Sequence, residues 1–363
     1  MKAVQWLKNS VLPLWLEKGI DASNGSFVEA LAFKDASPMD LPRRSMVQSR
    51  QIYSLRLASE MGLVEKSRVQ EIVARATKFL LMHYSLPSGG FIHSATAQGV
   101  AENRTPDLYA QAFALFGMAH SFALNPTPEI EERAKNLVNY LNRERALPQG
   151  GYTELTKEGV LFEANPHMHL FEASIAWMSV SQDPAWRFLA DSLLSLCMKK
   201  FVDAKTGGLD EHFDEHWRPL QSHRGSVLEP GHHYEWSWLM SKYERLTGVN
   251  LQDVRGNLFE LSERYGVCPE RKVVYDEIWS DFYPKTKSSR FWTQCERIKC
   301  AADRGDVHAA EEGMEVLLKY FETPIAGLWL DRMSEDGTFK SENAKASSLY
   351  HIIGAISEFR SYV

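Results

Sequence analysis

The chain has 363 residues, a formal net charge of -6 and 44% hydrophobic residues, which provides for a sizeable core and leaves no basic excess to serve nucleic acid or an anionic membrane surface. Four cysteines, Cys197, Cys268, Cys295 and Cys300, show no CxxC spacing, which argues against a zinc knuckle or a disulfide framework. Residues 1–8 already read as an amphipathic helix and no apolar run is long enough for a secretion signal or membrane span, so a cytoplasmic protein acting on a small molecule is expected.

In chain order, apolar residues at helical spacing predict twelve helices, over 2–19, 45–61, 67–83, 107–123, 128–145, 167–181, 184–201, 230–247, 252–265, 289–304, 307–322 and 345–361. Thr105-Pro106-Asp107, Asn165-Pro166 and Glu229-Pro230 supply start signals, proline being suited to a first helical turn. Between the helices a glycine tag recurs six times: Asn24-Gly25-Ser26-Phe27, Ser88-Gly89-Gly90-Phe91, Gln149-Gly150-Gly151-Tyr152, Thr206-Gly207-Gly208-Leu209, Tyr265-Gly266-Val267-Cys268 and Ala326-Gly327-Leu328-Trp329. The steps are 64, 61, 57, 59 and 61 residues. A fixed period with one turn per period marks a repeat of helix pairs.

The segments 45–61, 107–123, 167–181, 230–247, 289–304 and 345–361 carry small residues and isolated polar ones in apolar surroundings, as an inner ring would. Their partners, such as 67–83 with Glu71, Arg75 and Lys78, have one wet face. The expected fold is therefore all-α: an (α/α)6 barrel forming a single domain over 1–363, with short hairpins beside the glycine tags at one rim. No Gly-x-Gly-x-x-Gly or Walker-type loop is present to hold a nucleotide.

Corresponding places near the inner-helix starts hold Arg50, Asp107 with Tyr109, His169 with Glu172, His232 with Glu235, Trp292 with Glu296, and His351. The repeat brings these to one mouth. In His169-x-x-Glu172 and His232-x-x-Glu235 the i, i+3 spacing sets carboxylate and imidazole on one helix face, so that each glutamate is expected to orient and tune its histidine for proton transfer. His233 then points elsewhere as a structural residue. Tyr109, Trp236 and Trp292 can stack on a sugar ring, and Arg50 and Arg224 can hold hydroxyls or a developing oxyanion. Two His-x-x-Glu pairs lack the further glutamates and the parallel four-helix core of a di-metal site, so neither a metal nor another cofactor is expected.

At these residues the chain resembles the N-acylglucosamine 2-epimerase superfamily, and within it the D-mannose isomerase and sulfoquinovose isomerase-like branch. The resemblance rests on Arg43-Arg44-Ser45-Met46-Val47-Gln48-Ser49-Arg50-Gln51, Asp107-Leu108-Tyr109, Asn165-Pro166-His167-Met168-His169, Gly231-His232-His233-Tyr234-Glu235-Trp236, Trp292-Thr293-Gln294-Cys295-Glu296 and Tyr350-His351. It implies the same barrel and interconversion of free sugars without a redox cofactor. It also implies proton transfer by His232 and His351, sugar binding and ring opening at His169, and substrate contacts from Asn165 and Arg50.

The expected reaction is isomerisation of D-mannose, or of D-lyxose, to the ketose through a cis-enediol. His232, tuned by Glu235, is expected to carry the proton between C2 and C1, with His351 assisting ring opening and the O1/O2 proton movements. The alternatives are C2 epimerisation of mannose, N-acylglucosamine or cellobiose, and glycoside hydrolysis by a carboxylate pair drawn from Asp107, Glu235 and Glu296.

Overall fold

A computed structural model describes residues 2–154 and 162–362. Twelve helical rods follow in chain order: α1 (2–18), α2 (Ser45–Glu60), α3 (Lys66–Tyr84), α4 (Leu108–Leu124), α5 (Pro128–Glu144), α6 (Ala164–Met178), α7 (184–201), α8 (Pro230–Thr247), α9 (252–266), α10 (Phe291–Arg304), α11 (Val307–Lys319) and α12 (Leu349–Tyr362). Three of the rods contain a π-helical turn: Leu7–Val11 in α1, Cys197–Phe201 in α7 and Ser262–Gly266 in α9. The even-numbered helices pack each against the next, and α12 closes on α2. The odd-numbered ones cover them from outside, and the result is the (α/α)6 barrel. No helix among the described residues is long and apolar enough to cross a membrane.

Each repeat turns at a residue in the left-handed region: Gly25, Gly89, Gly150, Gly207, Lys272 and Gly327, with φ of 81°, 101°, 95°, 72°, 61° and 97°. Three residues later a backbone N–H donates to the end of the preceding outer helix, from Val28 to Gly19, Ile92 to Tyr84, Thr153 to Arg145, Asp210 to Phe201, Tyr275 to Gly266 and Leu330 to Tyr320, all at 2.8–3.0 Å. The fifth tag is therefore not at Gly266, where the sequence spacing put it. Gly266 ends α9, where an added Cβ would meet Pro230 at 2.6 Å, and Lys272 takes the turn position.

The rim hairpins stitch neighbouring repeats together. Arg43–Arg44 pairs with Ser94–Ala95, Phe162–Glu163 with His212–Phe213, Val227–Leu228 with Glu277–Trp279, and Ser289–Arg290 with Arg332–Met333, all antiparallel. Ala30–Leu31 pairs with Ala344–Lys345, so the first repeat is sewn to the last. The corresponding stretch of the third repeat begins at residue 155, outside the described residues.

A second clasp fixes the rotation of each inner helix. Four residues past the helix N-cap, a buried polar side chain accepts the N–H of the residue two past the turn: Gln48 from Phe27 at 2.7 Å, Gln111 from Phe91 at 2.7 Å, His167 from Tyr152 at 3.0 Å, His233 from Leu209 at 3.0 Å and Gln294 from Val274 at 3.3 Å. Gln48 and Gln111 return a bond to the same residue's carbonyl at 2.9 and 2.8 Å. His233 is thus structural, as its place on the helix implied. Leu349 stands at this position in the sixth repeat.

A lysine in the left-handed region costs about 1 kcal/mol, so Lys272→Gly is expected to raise stability in urea unfolding by about 0.5–1 kcal/mol. Gly89→Ala should lower it by about 1–3 kcal/mol, because the new Cβ would sit 2.8 Å from the Asn136 carbonyl oxygen.

Candidate active site

Five inner-helix N-caps are Arg44, Asp107, Glu163, Glu229 and Arg290, and in the sixth repeat Lys345 caps the 3-10 turn Ala346–Ser348 that runs into α12. With the clasp at the fourth residue turned toward the rim hairpin, the sixth lies about 200° further round and faces the barrel axis. Those residues are Arg50, Phe113, His169, Glu235, Glu296 and His351. Above them lies a cavity of about 310 Å³. Of the residues expected from sequence, Arg50, Tyr109, Asn165, His169, His232, Glu235, Trp292 and His351 line it. Glu163, Glu211, His212, Glu229 and Arg290 line it as well, and sequence reasoning did not find them.

Glu172 and Glu296 lie beneath this lining and hold its histidines. His351 Nδ1 is 2.7 Å from Glu296 Oε1, and Lys299 Nζ is 2.6 Å from the other oxygen of the same carboxylate. Burial opposes a charge on Glu296, but Lys299 and the His351 hydrogen bond outweigh it and hold the carboxyl down at about 2. His351 is pushed down to about 3, first by burial and then by the cationic surroundings of Arg50 and Lys299 against the pull of Glu296. It is a neutral imidazole whose Nδ1–H donates to Glu296, leaving Nε2 with a lone pair.

His232 has the opposite environment. Its Nδ1 lies 3.0 Å from Glu211 Oε1 and 3.7 Å from Glu229 Oε2. Burial works against its charge, yet Glu211 and Glu229 prevail and push it up to about 10. The rim charges explain why. Glu29 faces Arg44, His93 faces Asp107, Asp276 faces Arg290 and Asp331 faces Lys345, so four N-caps are matched by an opposite or protonatable partner from their own repeats, whereas in the third repeat Glu154 and the N-cap Glu163 are both acidic. In the fourth repeat both members, Glu211 and Glu229, are acidic, and His232 supplies the positive charge. The expected tuning of His232 by Glu235 is only a minor contribution, behind Glu211 and Glu229: across i, i+3 the contact runs back to Glu229, and the nearer partner comes from the hairpin.

For His169 the expected pairing holds, with Nδ1 3.0 Å from Glu172 Oε2. The Tyr350 hydroxyl hydrogen-bonds Glu172 and lies 3.4 Å from Glu235. Burial, then Glu296 and Glu172 across partial screening by Lys299, push Glu235 up to about 8, so it is a neutral acid facing the cavity near pH 7. Arg50 donates to the Tyr109 hydroxyl at 2.8 Å and the Ser347 carbonyl at 3.4 Å, with its guanidinium 4.3 Å from the Phe113 ring centre. Trp292 lies between the two histidines, its ring centre 5.2 Å from that of His232 and 5.7 Å from that of His351. Gly231 permits this, since a Cβ there would sit 2.6 Å from the indole.

Besides Glu172 and Glu296, three residues expected at the mouth, Arg224, Trp236 and Asp107, do not line the cavity. Arg224 pairs with Asp281 at 2.8 Å and lies over the Tyr283 ring, outside the lining; Arg290 stands at the mouth instead, 3.2 Å from Asp276. Trp236 is fully buried against Phe171. Asp107 caps α4 and pairs with His93 at 2.8 Å, while Glu296 is engaged by His351 and Lys299, so neither is placed as half of a hydrolytic carboxylate pair. Two groups of donor atoms lie within 4.8 Å of one another, His169–Glu172–Glu235 and Glu211–Glu229–His232, and each could hold a cation. In the first, Glu172 already accepts from His169 and Tyr350; in the second, His232 occupies the space between the carboxylates.

The family model described as N-acylglucosamine 2-epimerase matches residues 27–355. The chain belongs to this family. It is accordingly an enzyme, a sugar isomerase or 2-epimerase. A relative from Rhizobium meliloti (strain 1021) named mannose-6-phosphate isomerase is 35% identical over 97% of this chain and 94% of its own length. Two solved structures share the fold. A cellobiose 2-epimerase from Bacillus thermoamylovorans B4167 superposes with a TM-score of 0.87 at 19% identity, covering 100% of this chain and 98% of its own. A D-mannose isomerase does so with a TM-score of 0.85 at 18% identity, covering 97% and 95%.

In a ¹⁵N-histidine NMR titration His232 is expected to stay protonated past its ordinary 6.5 toward about 10, and Glu211→Gln to bring its midpoint down by about one unit or more. Because the folded-state value of His232 lies above the unfolded one, its protonation adds stability that is lost as pH rises through about 10, while burial holds Glu211 up at about 7, so the ion pair itself is fully formed only between those two values. A midpoint near 6.5 in the unaltered protein would remove the electrostatic assignment.

Proposed function

We propose that the protein isomerises D-mannose, and D-lyxose as the analogue without C6, to the corresponding ketose through a cis-enediol. The observation that carries this reading is a pair of imidazoles on either side of Trp292 with opposite surroundings: His351 rests on a Glu296 carboxylate already paired with Lys299, which favours its neutral form, and His232 lies against Glu211 and Glu229, which favour its imidazolium. Environments that drive two titratable groups apart make an acid and a base from the same side chain. His351 is then the base that takes the C2 proton of the open-chain aldose, while His232 protonates the O1 that becomes an enediol hydroxyl. In the second half His232 recovers a proton from O2 and His351 delivers its proton to C1. This exchanges the roles expected from the sequence, where His232 was the carrier between carbons.

The remaining lining residues have binding work. Asn165 Oδ1 and Arg50 Nε are buried without a protein partner and suit sugar hydroxyls. Trp292 offers an apolar face to the ring, and His169, oriented by Glu172, is placed to assist ring opening. Glu163, Glu211 and Glu229 at the mouth favour an uncharged sugar over a phosphorylated one. The same groups admit a second reading, C2 epimerisation, because imidazoles arriving from α8 and α12 can reach two faces of one carbon.

With 2-deuterated mannose followed by NMR, fructose carrying the label or a solvent proton at C1 is the expected first product, and glucose as first product would reverse the choice. Mannose should exceed mannose 6-phosphate in kcat/KM by about tenfold or more. His351→Ala and His232→Ala are each expected to lower kcat by about 10²–10⁴, and no reducing sugar should be released from an aryl mannoside.

A further inference from the structure

Below the substrate cavity the barrel axis carries a layer nine residues past each N-cap: Tyr53, Phe116, Glu172, Trp238, Lys299 and Gly354. Lys299 is the one cation in that layer, and its side chain is 3% exposed. Two features place it. Its stem runs past Gly354, where an added Cβ would be in ordinary contact with Lys299 Cδ at 3.7 Å, and the ammonium sits 3.9 Å from the Trp238 ring centre. Its hydrogen bond is to Glu296, at 2.6 Å, and it does not line the cavity. Buried ion pairs of this kind are often replaceable by apolar side chains without loss of stability. A role in stability therefore explains the charge poorly.

The proton count explains it better. Three carboxyls, Glu172, Glu235 and Glu296, face the layer, together with His169, His351, Tyr53, Tyr350 and the guanidinium of Arg50. Only Glu296 has the lysine as a hydrogen-bonded partner. We infer that Lys299 is a positioning residue for the reaction: by keeping Glu296 an acceptor, it holds the His351 proton on Nδ1 and presents the Nε2 lone pair to the sugar. Without the ammonium a proton settles on Glu296. The acid then donates to His351 Nδ1, the imidazole proton moves to Nε2, and the base is lost although every cavity-lining residue is in place. The inference rests on His351 being the base of the proposed isomerisation.

The test is a double-mutant cycle with a separate spectroscopic arm. Lys299→Met is expected to lower kcat by about 100-fold or more while KM stays within about threefold. In a Glu296→Gln background, where position 296 carries no carboxyl to be protonated, the same change should alter kcat by less than about threefold. In ¹⁵N-histidine NMR, His351 should be the Nδ1–H tautomer in the unaltered protein and the Nε2–H tautomer in Lys299→Met. Lys299→Gln carries the same comparisons if the methionine variant does not fold. An equal loss in both backgrounds, a retained kcat, or an unchanged tautomer overturns the inference. Full activity in His351→Ala would overturn the assignment of His351 as the base instead, while the tautomer arm would still report on Lys299.

Discussion

The structure depends on one interaction repeated around the ring: a polar side chain on the second turn of an inner helix clasping the backbone of a rim hairpin. Gln48, Gln111, His167, His233 and Gln294 make it. Each clasp satisfies a buried N–H that would otherwise cost about 1–3 kcal/mol, and it also fixes which way its helix is turned. Once rotation is set, the residue two places further on must face the axis. The site is therefore a consequence of helix register: Arg50, Phe113, His169, Glu235 and Glu296 are presented because a clasp is made behind each, and His351 stands at the same register where Leu349 takes the clasp position.

Charge then differentiates six similar positions. A strictly repetitive barrel would give every inner histidine the same surroundings and the same proton affinity. The third and fourth repeats each break the rim's pairing of opposite charges with two glutamates, and in the fourth His232 stands against them and becomes the cation. The fifth repeat puts a lysine one turn below a glutamate, and His351 is left neutral on an anion already compensated. Asymmetry at two places in a symmetric scaffold yields an acid and a base.

The sequence made the architecture legible because helical periodicity and turn glycines are local signals. All twelve helices lie where apolar spacing put them, within a few residues. The fifth turn was misplaced because Lys272, which has no glycine signature, adopts the left-handed conformation while Gly266 six residues earlier looks like a tag. The site was legible where its contacts are local, as for His169 with Glu172. It was not where they cross between elements: Glu211 reaches His232 from a hairpin, and no spacing along α8 announces it. Arg224 and Arg290 look equally able to serve a sugar until the fold ties the first to Asp281 and brings the second to the mouth. Counting from the N-caps places Lys299 on the axis beside Glu172, but the Asn165-Pro166 start signal lies inside α6, whose N-cap is Glu163, so the same count made from the sequence misses Glu172.

The polar content of that axis bears on how the barrel divides its labour. Hydrophobic residues fill the space between inner and outer helices, where Val47, Leu115, Leu170, Leu239 and Ile298 are all buried. The centre, which in a purely structural barrel would be the driest part, instead holds three glutamates, a lysine, an arginine and three tyrosines and histidines in contact. Burial raises the stakes of each of these groups: a low local dielectric strengthens a satisfied pair and penalises an unsatisfied one. Proton positions along the axis are thereby coupled, so that the state of Glu296 depends on Lys299 and the state of Glu235 depends on both Glu172 and Glu296. A network of that kind is a poor way to stabilise a protein and a good way to hold two imidazoles in different states within one cavity. The outer wall can supply the stability, which leaves the axis free to set the chemistry.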